Sequence, residues 1–329
     1  MKKFFAIFLT MMLILSMSIA AFAEADEPIP SASTTFTFEK SYQTTAGATP
    51  ATYPAETLKF VVTAVEGNPD NTMITIADHT VASNPGNVTV TVPTYSKTGK
   101  WNYTISEQQG STQGVTYSEN SFNVQVFVSY DTTNPNQLVA VTSFTSGTTG
   151  SKIDEIVNKY DLGTLTIDKN VTGNLASQTQ KFDIDVTFTS DKPVLSAISG
   201  AADIAVSEWT LGADNKYTVT KTVSLAHGDS VATFSNIPAG VSYTVAEQSK
   251  HTEADANGSD ISKGYTASYT NANGNIAADT TSAATVLNTK GTTVDTGITM
   301  DSLPYIMLIA FVAVIGAVML IKRLKASND

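Results

Sequence analysis

Tyr103–Gln108 reads YTISEQ, and Tyr243–Gln248 reads YTVAEQ. The chain says nearly the same thing twice, 140 residues apart. In each copy Tyr, then Ile or Val, then Glu fall on alternate positions. Side chains of a strand alternate between its two faces, so one face carries two apolar groups followed by a carboxylate. Such a face packs on a core, and a carboxylate aimed at a core needs a partner.

Matching segments lie on either side of this motif. TFTFEK (Thr35–Lys40) matches TLTIDK (Thr164–Lys169), and IVNKY (Ile156–Tyr160) matches VLNTK (Val286–Lys290). Each copy therefore opens on a lysine strand, carries a glutamate strand and closes on an asparagine strand. Period-2 spacing puts Lys40 with Phe36 and Phe38, Lys169 with Leu165 and Ile167, Asn158 with Ile156, and Asn288 with Val286. A single polar residue of this kind often sits at a strand end and reaches solvent. Recurrence of all three in both copies argues against that.

The intervening sequence is short alternating runs such as NVTVTVPTY, FNVQVFVSY, KFDIDVTFTS and KYTVTKTVSL. Turn-rich stretches such as EGNPDNT, SNPGN and TTNPNQ separate them. No long helical period interrupts the pattern. The expected fold is all-β, two tandem Ig-like β-sandwiches over residues 24–160 and 161–291. They join near Tyr160–Gly163 with almost no linker, which predicts a stiff junction.

The chain has 329 residues, a length that suits two domains, and a net charge of -11 with no basic patch, which disfavours nucleic acid as a partner. It has no cysteine, so an exported form cannot draw strength from disulfides. Export is expected: residues 1–23 carry two lysines, an apolar run and Ala21-Phe22-Ala23, the pattern of a cleaved signal peptide. Residues 292–329 contain an apolar run, 303–321, long enough to span a bilayer. Lys322, Arg323 and Lys325 follow it and should keep the tail inside.

Burial disfavours both the lysine ammonium and the glutamate carboxylate. A neutral lysine amine is a nucleophile, and an asparagine carboxamide offers an electrophilic carbonyl. A protonated glutamate between them polarises that carbonyl and relays protons as ammonia leaves. The product is a neutral Lys–Asn isopeptide bond, made once per domain. No other chemistry is indicated. His79, His227 and His251 are isolated, so no metal is assigned. DANGSD (Asp255–Asp260) lacks the full calcium-loop pattern, and neither a phosphate loop nor a hydrolase triad occurs. No cofactor is expected, and no enzyme activity beyond the single turnover.

From Thr34 to its C-terminus the chain resembles the major pilins of sortase-assembled Gram-positive pili, of the streptococcal T-antigen-like type. The F/L-x-F/I-x-K opening, the Y-T-[IV]-x-E-Q strand and the closing V-N or L-N carry the resemblance. It implies two triads, Lys40–Glu107–Asn158 and Lys169–Glu247–Asn288, with Glu107 and Glu247 as catalysts. NIPAGVSYTVAEQ also resembles the collagen-adhesin B-type repeats, which use the same chemistry. TVDTG ahead of the apolar run resembles a sortase sorting signal, usually L-P-x-T-G. Thr296 and Gly297 match its cleavage pair, whereas Thr293 and Val294 stand where Leu and Pro are expected.

The resemblance implies a structural pilus backbone in which Thr296 is joined to a lysine of the next subunit. The Y-P-K-like motif that often supplies this lysine is absent. Lys152, six residues before Asn158 and following a Gly/Ser/Thr loop expected to be flexible, takes its place, with Lys159 as the alternative. The implied partners are identical subunits, a pilus-specific or housekeeping sortase, cell-wall peptidoglycan, and tip or basal minor pilins. The implied location is the cell surface, with the membrane involved only before sorting. The competing reading is a monomeric wall-anchored adhesin or stalk.

Overall fold

The computed structural model describes residues 27–249, 264–291 and 303–326. The leader (1–23), Thr293, Val294, Thr296 and Gly297 of the sorting motif, His251 and Asp255–Asp260 lie outside the described residues. The described chain is mainly strand, arranged as two tandem all-β sandwiches followed by one helix.

In the first sandwich, apolar residues alternate with Thr, Asn and Gln, giving each strand one face for the core. Along Gly86–Val92, Val88, Val90 and Val92 are buried while Asn87, Thr89 and Thr91 are exposed. One sheet has the order Thr75–Ile76, Gly86–Val92, Thr34–Gln43, Glu155–Tyr160, Val115–Thr116. The facing sheet has the order Leu138–Ser146, Ser121–Tyr130, Gly99–Glu107, Phe60–Ala64. Trp101, Tyr103 and Ile105 of one sheet share a core with Phe38, Val90 and Ile156 of the other. Burying side chains of this size contributes roughly 1.5–3 kcal/mol each, which lets the core tolerate a few buried polar groups.

The second sandwich repeats the plan. Its first sheet has the order Ser199–Gly200, Ala232–Pro238, Leu162–Thr172, Thr281–Thr289, Thr266–Thr270. Its second has the order Thr210–Leu211, Tyr217–Leu225, Phe182–Ser190, Ser242–Glu247, Asn273–Asn275. In both domains the lysine and asparagine strands are adjacent and parallel, while the glutamate strand lies in the facing sheet. Lys40 pairs with Ile156 and Tyr42 with Asn158; Lys169 pairs with Val286 and Val171 with Asn288. Each asparagine thus sits two positions along from its lysine and on the same face.

The copies differ around the glutamate strand. The second domain inserts Tyr217–Leu225 before it, and the first places the pair Ser121–Tyr130 and Leu138–Ser146 after it. That difference explains why the glutamate motif is offset further between copies than its flanking motifs.

Asp161 alone separates the strands Glu155–Tyr160 and Leu162–Thr172. Its carboxylate accepts from the Thr45 N–H and hydroxyl, each at 2.7 Å. Gln113 Nε2 donates to the Ala239 carbonyl at 2.6 Å, and Tyr160 Oη lies 2.5 Å from Ser196 Oγ. Gly114, at φ +79°, turns the chain here, and a Cβ on it would meet Pro238 Cβ at 3.0 Å. Abutting strands and cross-domain hydrogen bonds therefore replace a linker.

The C-terminal helix spans Leu303–Ala326. Met307, Ile309, Phe311 and Val312 on it are exposed. The 303–321 run is almost wholly apolar in sequence, but several of its side chains lie outside the described residues. Among the described residues no helix is long and apolar enough to cross a membrane.

Candidate functional site

The lysine strand turns Phe38 and Lys40 inward, and the parallel strand beside it turns Ile156 and Asn158 the same way. Glu107, at the end of its strand in the facing sheet, meets them across the core. Lys40 Nζ lies 3.1 Å from Glu107 Oε2, and Asn158 Nδ2 donates to Glu107 Oε1 at 2.8 Å. One carboxylate therefore bridges the amine and the carboxamide. The Lys40 and Glu107 side chains are 1% and 0% exposed, and Asn158 is buried beside them.

The second domain brings together the equivalent three residues. Lys169 Nζ is 2.9 Å from Glu247 Oε2, and Asn288 Nδ2 donates to Glu247 Oε1 at 2.9 Å. Lys169 Nζ also lies 4.4 Å from the centre of the Phe182 ring.

Burial dominates the electrostatics. It brings the Lys40 amine down to about 8, against the opposing pull of Glu107. It pushes the Glu107 carboxyl up, against Lys40 and the Asn158 hydrogen bond. Both shifts favour passing the proton from amine to carboxylate, which leaves a neutral pair. Burial lowers Lys169 in the same way.

The two sites differ at the asparagine carbonyl. Asn158 Oδ1 accepts from the Ser118 N–H at 2.9 Å. Asn288 Oδ1 is buried with no hydrogen-bond partner among the described residues. Near the first site lies a further buried carboxylate, Glu56. It accepts from the Tyr42 hydroxyl at 2.6 Å, from Thr112 Oγ1 at 2.7 Å and from the Tyr117 hydroxyl. Sequence reasoning missed Ser118 and Glu56. Any residue but proline supplies a backbone N–H, so Ser118 has no signature of type, and Glu56 lies outside the repeated motifs.

The two lysines considered for intersubunit linkage have different surroundings. Lys152 is exposed and forms a single β-bridge with Thr145. The loop before it is a closed turn, with Ser146 N–H donating to the Ser151 carbonyl and Gly150 N–H to the Ser146 carbonyl, each at 2.9 Å. The glycines and threonines that suggested flexibility instead build this turn. Lys159 is half-buried, and its Nζ lies 3.4 Å from the Thr44 carbonyl. His227 Nδ1 accepts from the Val171 N–H at 3.2 Å, and His79 Nε2 is buried without a hydrogen-bond partner among the described residues. Among the described residues no group of three or more His, Cys, Asp or Glu is placed to hold a metal.

Residues 28–161 match the family model of the Spy0128-like isopeptide containing domain. That match spans the first domain, less than half of the chain. The match bears out the resemblance to major pilins of Gram-positive pili. Residues 163–290 match a separate family model, a domain of unknown function (DUF7601).

Among solved structures, the chain is similar to the major pilin from Streptococcus pyogenes, at 18% identity and TM-score 0.45, covering 78% of this chain and 99% of that one. It is similar to the S. pyogenes T-13 major pilin, at 18% identity and TM-score 0.46, with 79% and 99% covered. It is also similar to the T3.2 major pilin of that organism, at 16% identity and TM-score 0.44, with 81% and 98% covered. No curated protein matches the chain.

Proposed function

We propose that the chain is the shaft subunit of a covalently polymerised surface pilus, cross-linked internally by one Lys–Asn bond in each domain. The observation that carries this reading is the doubled site. In both sandwiches one buried carboxylate holds a lysine amine on one oxygen and an asparagine amide on the other. A buried ion pair is weak evidence for stability, because desolvation offsets its attraction. Repeating one beside a carboxamide makes sense as the ground state of a reaction that removes the charges.

The reaction begins when Lys40 passes a proton to Glu107. The neutral Nζ attacks Cγ of Asn158, forming the new C–N bond as the carbonyl electron pair moves to Oδ1. Glu107 delivers its proton to Nδ2 and takes one from Nζ. The carbonyl re-forms, the Cγ–Nδ2 bond breaks and ammonia leaves. Lys169, Glu247 and Asn288 follow the same course. Between subunits, a sortase cuts after Thr296 and passes its acyl group to Lys152 of the next copy, while wall peptidoglycan ends the chain. Exposure favours Lys152 over Lys159 for this role. Minor pilins at tip or base complete the assembly.

Intact-mass measurement on residues 24–296 tests the internal bonds. The expected deficit is two ammonia molecules, and Glu107→Ala or Glu247→Ala should each restore one. The mass of the unmodified sequence would refute the reading. Polymerisation is tested by blotting wall extracts boiled in detergent. A high-mass ladder is expected, lost in Lys152→Arg. A ladder that survives Lys152→Arg moves the linkage to Lys159 or another lysine, and a single monomer-sized wall-released band favours the monomeric stalk.

A further inference from the structure

We infer that the Ser118 N–H is an oxyanion donor for the Lys40–Asn158 reaction, held in aim by the buried Glu56 carboxylate, and that the second site has no such donor among the described residues. This rests on the bond-forming reading above and concerns how its two sites differ.

Negative charge develops on Asn158 Oδ1 when Nζ attacks Cγ, and the Ser118 N–H already points at that oxygen from 2.9 Å. A fixed backbone donor in a water-free site stabilises such charge strongly, because no reorganisation is needed during reaction. Strand register shows why the donor is available in one domain. In the first, Lys159 pairs with Thr116 and Tyr160 with Val115. In the second, Thr289 pairs with Thr266, Asn288 with Ala267 and Leu287 with Ser268. Ser118 and Ser268 thus hold equivalent places relative to the two asparagines. The second ladder runs on through Ser268 as far as Thr270, whereas the first ends at Thr116. Ser118 is thereby left outside the ladder, with its N–H turned to the Asn158 side chain.

The Glu56 network accounts for this interruption. Its carboxylate holds the Tyr117 and Thr112 hydroxyls, and the Thr112 N–H donates to the Tyr117 hydroxyl at 3.2 Å. Gln109 Nε2 fixes the Ser118 carbonyl at 3.1 Å. Gly110 is required beside it, since a Cβ there would lie 2.4 Å from the Tyr117 hydroxyl oxygen. Glu56 also holds the Tyr42 hydroxyl, and Tyr42 is the register partner of Asn158. One carboxylate therefore ties the donor loop to the lysine strand. Ser118 contributes a catalytic group, its N–H; Glu56 is a positioning residue that acts through Tyr117 and Thr112.

The test replaces the Ser118 amide by an ester, using an α-hydroxy acid introduced during translation, so that only the N–H is lost. Newly translated chains are sampled over time, and the Lys40–Asn158 and Lys169–Asn288 linked peptides are quantified separately. The first link is expected to form about a hundredfold more slowly or worse, with the second link unchanged as an internal clock. Glu56→Gln should slow the first link alone, and should add little when the ester is already present, because both changes act on one interaction. An unchanged first link in the ester protein, or equal slowing of both links, overturns the donor role. A Glu56→Gln effect that persists in full on the ester background overturns the positioning role. Absence of ammonia loss from the unaltered protein would instead sink the bond-forming reading itself.

Discussion

At the scale of single residues, the proposed cross-link would remove an unfavourable charge as well as add a bond. Asn158→Ala takes away the electrophile and leaves Lys40 as an amine in the core. Burial lowers its folded pKa to about 8, against 10.5 for an ordinary lysine. Between those values the unfolded chain holds a proton that the folded chain has released. Stability of the variant should therefore rise with pH through that window. If the proposed bond forms, the unaltered protein has consumed this amine and should lack that rise. Urea midpoints of the two proteins, compared from below pH 8 to above pH 10, should converge as pH increases. A constant gap would mean that burial does not depress the Lys40 amine.

At the scale of strands, the proposed bond would tie the first strand of each domain to the last. Asn158→Ala and Asn288→Ala each open a loop of about 120 residues, and by the entropy estimate used for disulfides each loss is worth roughly 5 kcal/mol. Thermal melts and protease digestion should show each variant clearly weaker than the parent, and unchanged melting would exclude a stabilising role. Much at this scale was legible in the sequence. The Val/Thr alternation of Gly86–Val92 gives the strand and its buried face, and the doubled motifs place Lys40, Glu107 and Asn158 on inward faces. The parallel pairing of Lys40 with Ile156 was not legible, because residues far apart in the chain decide it. The turn before Lys152 was misread because Gly, Ser and Thr serve a loose tether and a hydrogen-bonded turn alike. The Ser118 donor was hidden because it depends on where a ladder stops.

At the scale of the whole molecule, the junction at Asp161 and the parallel strand pairs fix how tension crosses a subunit. Pulled between Lys152 and Thr296, the chain carries load along Glu155–Tyr160, across Asp161 and into Leu162–Thr172. At Lys169 the proposed bond would carry the load across to Asn288 and on towards the C-terminus. On the proposed linkage, a Lys169–Asn288 bond would be in series with every other element of the tether, while a Lys40–Asn158 bond would stand beside it and bear none of the pull. Two sites of one proposed chemistry would thus have unlike mechanical duties. In single-molecule stretching from these points, Asn288→Ala should add a long extension step as the second domain unspools, and Asn158→Ala should add none. Matching steps from both variants would overturn this load path. If the Lys169–Asn288 bond forms in a sortase-linked filament, a protease cut anywhere between Asn170 and Leu287 would leave that filament unbroken, because the load would no longer pass through those residues.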